Sequence, residues 1–222
     1  MRCTRAKVDA MHGYDRPRRQ FAVALAALAG YVDAVGYLSA SGYFVSFMSG
    51  NTSRLGVMLG TDAIGAWPPS LLIAGFVGGV TSGALIAHRA ERHSKPAVLA
   101  LVTSLLLGAA AARMQSAPIM MLAALVIAMG AINNTFQRGG EVAIGITYMT
   151  GALVRIGQSL AHRLSGQPDP SWRSWASLWG GLLAGAVSGA TLQSRMPLGC
   201  LWIAVAWSAA MIVVALNLPE EA

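Results

Sequence analysis

Eight apolar stretches of helix length leave this chain few folds to choose from. They run approximately over 21–38, 44–60, 69–88, 96–112, 117–136, 145–161, 175–192 and 198–216, and a helix crossing a bilayer takes about 17–25 residues of this kind. The chain is 55% hydrophobic and 11% charged, where a soluble domain is about 45–50% apolar. In hydrocarbon every backbone amide needs a partner within its own segment or a neighbour, which leaves helices for windows of this length. The expected fold class is all-α, a polytopic membrane helix bundle. Six of the windows are clean, and the second and sixth are short and polar.

Those two windows carry nearly the same phrase. Residues 44–56 read FVSFMSGNTSRLG and residues 145–157 read GITYMTGALVRIG. The correspondence extends outward: Gly30-Tyr31-Val32-Asp33 matches Gly130-Ala131-Ile132-Asn133, and Gly75, Gly79 and Gly83 match Gly181, Gly185 and Gly189. The chain therefore reads as two copies of a four-segment unit, repeat A over about 21–112 and repeat B over about 117–216. The glycine ladders, spaced by four, read as faces on which helix backbones come close.

Charge sets the expected topology. Arg2, Arg5, Lys7, Arg16, Arg18 and Arg19 crowd the start of the chain, and a basic flank before an apolar window holds an amino terminus in the cytoplasm. This gives a basic cytoplasmic tail over 1–20 and one transmembrane domain over 21–218. A cleavable signal peptide is rejected, because the basic region is long and the apolar run continues past Ala27-Leu28-Ala29. If windows two and six enter and return, Arg89, Arg92, Lys95 and Arg138 join the tail inside, and of the loop residues only Arg113 and Arg195 lie outside. If all eight cross, Arg89, Arg92, Lys95, Arg138 and Arg195 lie outside. The bias of basic residues favours six spanning helices plus two short polar re-entrant helices over two additional spans. Three crossings per unit would then make the second copy inverted, the arrangement that frames many transport sites.

The candidate site residues follow from expense. An ionisable side chain within a spanning helix costs roughly 2.5–3.5 kcal/mol on the insertion scale and needs compensation. Asp33 is such a residue, and Arg54 and Arg155, one in each phrase, are the cations expected to balance it. Ser49, Gly50, Asn51 and Thr52 in the first phrase and Thr147, Thr150 and Gly151 in the second suit an interrupted helix, since small and hydroxylated residues accommodate and satisfy freed backbone. Asn133 and Asn134, with Gln137, form a polar cluster at the end of the fifth window. The expected arrangement is a midplane site lined by Asp33, Asn51, Arg54 and Arg155, with Asp33 as proton or cation coupler.

Other chemistries find no footing. Cys3 and Cys200 make no disulfide framework, and His12, His88, His93 and His162 are scattered, so no metal site or cofactor is expected. No nucleophile elbow, phosphate loop or dinucleotide fingerprint is present. No catalytic residue is named and the chain is read as a non-enzyme. The basic tail reads as a topology signal rather than a nucleic-acid surface.

AGYVDAVGYL followed by FMSGNTSRLG, and later MGAINNTFQR and TYMTGALVRIGQ, resemble the YoaK-like family of small bacterial membrane proteins, from about Phe21 onward. The resemblance implies a multi-pass protein of the bacterial inner membrane with about six spans, and no established activity. Against that family's pattern Ser49 stands where Thr is common, and Ala152 and Val154 stand where hydroxyls do. The first change keeps a hydroxyl and the others lose one, which shifts weight to the first half. The expected function is a secondary transporter or permease of a small polar or anionic solute, with a non-transporting scaffold or accessory subunit as the alternative. The expected partners are the lipid bilayer and a small-molecule or ionic solute, with the oligomeric state open.

Overall fold

A computed structural model of the protein describes residues 15–138, 141–142, 145–167 and 170–218. Eight α-helices occupy the eight windows: α1 (Arg16–Ser39), α2 (Met48–Thr61), α3 (Trp67–Ala90), α4 (Ser94–Met114), α5 (Pro118–Ile132), α6 (Met149–Leu164), α7 (Trp172–Arg195) and α8 (Cys200–Leu216). Helix α1 begins at Arg16 rather than Phe21, so the end of the basic region is helical; Pro17 in its first turn suits a helix start, where its missing N–H costs nothing. Most of the basic tail, with Cys3 and His12, lies outside the described residues. Among the described residues the one strand pairing is a two-residue antiparallel one, Gln137 opposite Val142 and Arg138 opposite Glu141.

By length and composition α1, the continuous run Ala63–Met114 that holds α3 and α4, and Pro118–Thr135 qualify as spans, with Cys200–Leu216 as a shorter apolar helix. Helix α7 is 24 residues long but is not apolar enough to qualify, contrary to its reading as a clean window. Its glycines and hydroxyls lower its hydropathy, and its packing explains them.

The helices run between two ends of the bundle. Along α1 and α7, Arg19 meets Ser174, Tyr31 lies beside Gly189 and Ser39 meets Gln193, so the two are parallel. Along α3 and α5, Gly75 lies beside Val126 and Gly83 beside Ala131, so these are parallel too. Ser39 at the end of α1 shares a pocket with Trp67 at the start of α3, so α3 runs the opposite way. Arg113, at the end of α4, reaches Ser39, Gln193 and the Pro197 carbonyl. The other end gathers Glu91 and Lys95 beside Leu216 and Leu218. Thus α1, α4 and α7 run one way and α3, α5 and α8 the other. Thr103 and Ser208 share a hydroxyl hydrogen bond of 2.8 Å between α4 and α8.

Glycine sets the two tightest seams. A Cβ built on Gly185 would lie 1.9 Å from the Ala27 carbonyl oxygen, and one on Gly30 would lie 2.1 Å from that of Leu182. The α3–α5 seam matches: 2.2 Å from Gly79 to the Ile127 carbonyl and 2.2 Å from Gly130 to that of Phe76. In lipid, where apolar side chains gain little by leaving hydrocarbon for one another, such close backbone approach is a main source of helix association. The seams flank a core that includes Leu25, Leu28, Leu99, Leu106, Leu125 and Met129.

Candidate functional site

Helices α2 and α6 are set apart by where they begin rather than by length alone, since α5 has 15 residues and α8 has 17. Helices α2 and α6 have 14 and 16 residues, about 21 and 24 Å at 1.5 Å per residue, short of a hydrocarbon core about 30 Å thick. Helix α2 starts beside Phe76, near the middle of α3, and ends through a 3-10 turn at Ala63–Ala66 that leads into Trp67. The chain thus leaves α1 at one end, dips to mid-depth, and returns along α2 to that same end. Helix α6 does the converse. Gln137, ahead of it, lines clefts with Glu91 and Ser94 at the opposite end; α6 then starts at mid-depth, and its Ser159 hydroxyl lies 3.1 Å from that of Ser171, just before α7.

The two N-termini open on one cavity. It has a volume of about 330 Å³, and its walls are Ser46, Phe47, Met48 and Ser49 from the first phrase, Thr147 to Gly151 from the second, and Phe76. Neither N-cap residue, Phe47 or Tyr148, provides a side-chain cap. The first amides of a helix have no partner within it, and together with the helix dipole they favour an anion or a polar acceptor. Here two such ends converge from opposite sides.

Behind this wall, side chains hold the irregular backbone. One oxygen of Asp33 accepts from the amides of Ser46 at 2.7 Å and Val45 at 2.9 Å. At the matching place, Asn133 accepts from the amide and the hydroxyl of Thr147, each at 3.2 Å. Asn51 is fully buried and grips the backbone of Phe44 twice, donating to its carbonyl at 2.7 Å and accepting from its amide at 3.2 Å. Asn134 donates to the Val80 carbonyl at 2.9 Å and accepts from Gln137 at 2.8 Å. Non-helical backbone at this depth is tolerated only where its polar groups are satisfied.

The site expected from sequence is therefore assembled differently. Ser49, Thr150 and Gly151 line the cavity; Gly50 lies against the Phe47 and Phe44 rings; Thr52 returns its hydroxyl to the Met48 carbonyl. Asp33, Asn51 and Asn133 brace the wall instead of lining it, and Asn134 ties the end of α5 to α3 and to Gln137. Arg54 stacks 4.7 Å from the centroid of Tyr43 and Arg155 4.7 Å from that of Trp175, and neither lines the cavity. The expected balancing of Asp33 by an arginine gives way to backbone amides, which suit a carboxylate as charge-assisted donors.

Sequence reading passed over Ser46 and Phe76, while Thr147, read as one of the small polar residues of the second phrase, does line the cavity. Ser46 stands third in the first phrase, at the place that Thr147 holds in the second. Nothing in sequence distinguishes Phe76 from its apolar neighbours. Arg113 was read only as a loop charge, yet it ties the ends of α1, α4 and α7 to the turn before α8.

Comparison with known proteins fits this architecture. The model of a family described as a protein of unknown function, DUF1275, matches residues 21–214. The chain belongs to that family. It is also 36% identical over 199 residues to a UPF0700 transmembrane protein of Rhizobium meliloti (strain 1021), covering 89% of this chain and 86% of that protein. No solved structure matches. The family agrees with the resemblance read from the repeated phrases, and the chain is a multi-pass helical membrane protein.

Proposed function

We propose that the protein is a secondary transporter or permease of a small polar or anionic solute, with the cavity between α2 and α6 as its binding site. The observation that carries the reading is the convergence of two uncapped helix N-termini, from opposite ends of the bundle, on one cavity that sets Ser46, Ser49, Thr147 and Thr150 among apolar side chains. The matched helix pairs α1–α7 and α3–α5, and the matched bracing by Asp33 and Asn133, support reading the halves as inverted repeats. Broken helices meeting near the midplane between such repeats are a recurring design for moving solutes by alternating access. The reading assigns no catalysis, no cofactor and no nucleic-acid partner. It takes the bacterial inner membrane as the location, with the amino terminus in the cytoplasm.

In this scheme the solute's acceptor atoms meet first-turn amides of α2 and α6 beyond those of Met48 and Met149, which donate to the Ser46 and Thr147 carbonyls, with Ser49 and Thr150 beside them. Asp33 sits one hydrogen bond behind. Loss or gain of its charge would alter its hold on Val45 and Ser46, which couples protonation to the cavity wall. The second reading, a scaffold or accessory subunit, is favoured by the outward faces of the short helices, where Val57, Leu59, Leu160 and Leu164 are exposed.

The test is thermal unfolding of the detergent-purified protein across a set of small anions and polar metabolites, beside Gly151→Val. A Cβ at Gly151 meets nothing within 4 Å, so a side chain introduced there enters open space at the cavity wall. A solute at about 100 times its dissociation constant adds roughly 2.7 kcal/mol. The expected result is a solute-specific rise in Tm that Gly151→Val abolishes, followed by flux of that solute in proteoliposomes. A solute that binds but is never moved would favour the scaffold reading.

A further inference from the structure

At the end of the bundle where α1 and α7 begin, a cleft of about 500 Å³ lies between them, apart from the cavity described above. Arg16, Arg19 and Arg173 stand at its mouth with Gln20, Ser174 and Ser177, and Val23, Ala24 and Ala27 continue it along the helix. Among the described residues no carboxylate lines it. Arg19 donates across the groove to the Ser174 hydroxyl at 3.3 Å, and the Arg173 guanidinium lies 5.7 Å from the centroid of the Trp172 ring. Deeper in, the groove closes where a Cβ on Gly181 would fall 2.8 Å from a Val23 methyl.

We propose that this cleft is a specific site for an anionic phospholipid. The phosphate would sit among Arg16, Arg19 and Arg173, with Gln20 as a neutral donor, and an acyl chain would lie along Val23, Ala24 and Ala27. Helical periodicity puts Arg16, Gln20, Ala24 and Ala27 on one face of α1, so charge and grease are ordered along the helix as they are along a lipid. A free phosphate would use the mouth alone and leave the apolar floor uncovered. Basic pockets between membrane helices recognise acidic headgroups by this combination, and guanidinium suits phosphate through its planar array of donors. The seam served is the glycine-lined α1–α7 contact, so a bound lipid would also brace that pair.

The experiment is native mass spectrometry of the full chain in detergent with dioleoyl phosphatidylglycerol or dioleoyl phosphatidylcholine, with inorganic phosphate as competitor. The wild type is expected to retain phosphatidylglycerol at concentrations where phosphatidylcholine is lost. Each juxtamembrane arginine contributes roughly fivefold to binding an acidic lipid, so Arg16→Gln with Arg173→Gln should weaken retention about twenty-five-fold. Those two side chains are exposed, and the Arg19–Ser174 bond is left intact. Arg92→Gln with Lys95→Gln removes the same charge elsewhere and should change nothing. Ala24→Phe, which blocks the floor, should also displace the lipid while all three arginines remain. Equal retention of both lipids, unchanged retention in the arginine variant, or full displacement by millimolar phosphate would each overturn the assignment.

Discussion

Two backbone amides converge on a single oxygen of Asp33, and what they need there is an acceptor. An asparagine carbonyl is also an acceptor, and the matching place in the second half already uses one, in Asn133. Asp33→Asn should therefore leave the protein folded with nearly unchanged Tm. Asp33→Leu strips the acceptor from two amides, and an unsatisfied buried donor costs about 1–3 kcal/mol; a clear fall in Tm is expected in the same detergent. The pair also separates roles: if Asp33 couples proton movement, Asp33→Asn keeps the fold and loses only the proton dependence of flux. Asn51→Leu should behave like Asp33→Leu, because both backbone groups of Phe44 lose their partner.

Helix pairs, rather than single contacts, decide whether the bundle closes. Gly79 and Gly185 face carbonyl oxygens at distances that no Cβ tolerates, whereas a Cβ on Gly78 or Gly180 meets nothing within 4 Å. Gly79→Ala and Gly185→Ala must push two backbones apart, and overpacking of this kind costs about 1–3 kcal/mol. Gly78→Ala and Gly180→Ala, on the same helices, should be neutral or slightly stabilising through helix propensity. Thermal unfolding of the four variants side by side checks this. A uniform response across all four would mean that glycine acts through helix flexibility and not through the seams.

Across the whole molecule the question is which ends the short helices return to. With six crossings the turn after α2 and the turn after α6 face opposite sides of the membrane. With eight crossings both face the same side. Ile64 and Leu164 are among the most exposed side chains at these turns. In a background with Cys3 and Cys200 changed to serine, Ile64→Cys and Leu164→Cys should react with an impermeant thiol reagent from opposite sides of sealed vesicles. Labelling of both from one side would refute the re-entrant path.

The eight windows, the repeated phrase and the polar positions within it were all legible in the sequence, because hydrocarbon imposes a length and polarity rule that acts on each segment alone. The direction of α2 and α6 was partly legible, through the side of the bundle on which Arg89, Arg92 and Lys95 fall. The pairing of α1 with α7 and of α3 with α5 was not, since glycine ladders announce close approach without naming a partner. Nor was the division of labour within the phrases: Asp33 and Arg54 are both charged, and local sequence offers their pairing as the simplest balance. Only the packed chain brings the amides of Val45 and Ser46 to Asp33 and turns Arg54 onto Tyr43. Segment hydrophobicity is a local property summed along the chain, whereas satisfaction of a buried polar group depends on which backbone the fold carries past it.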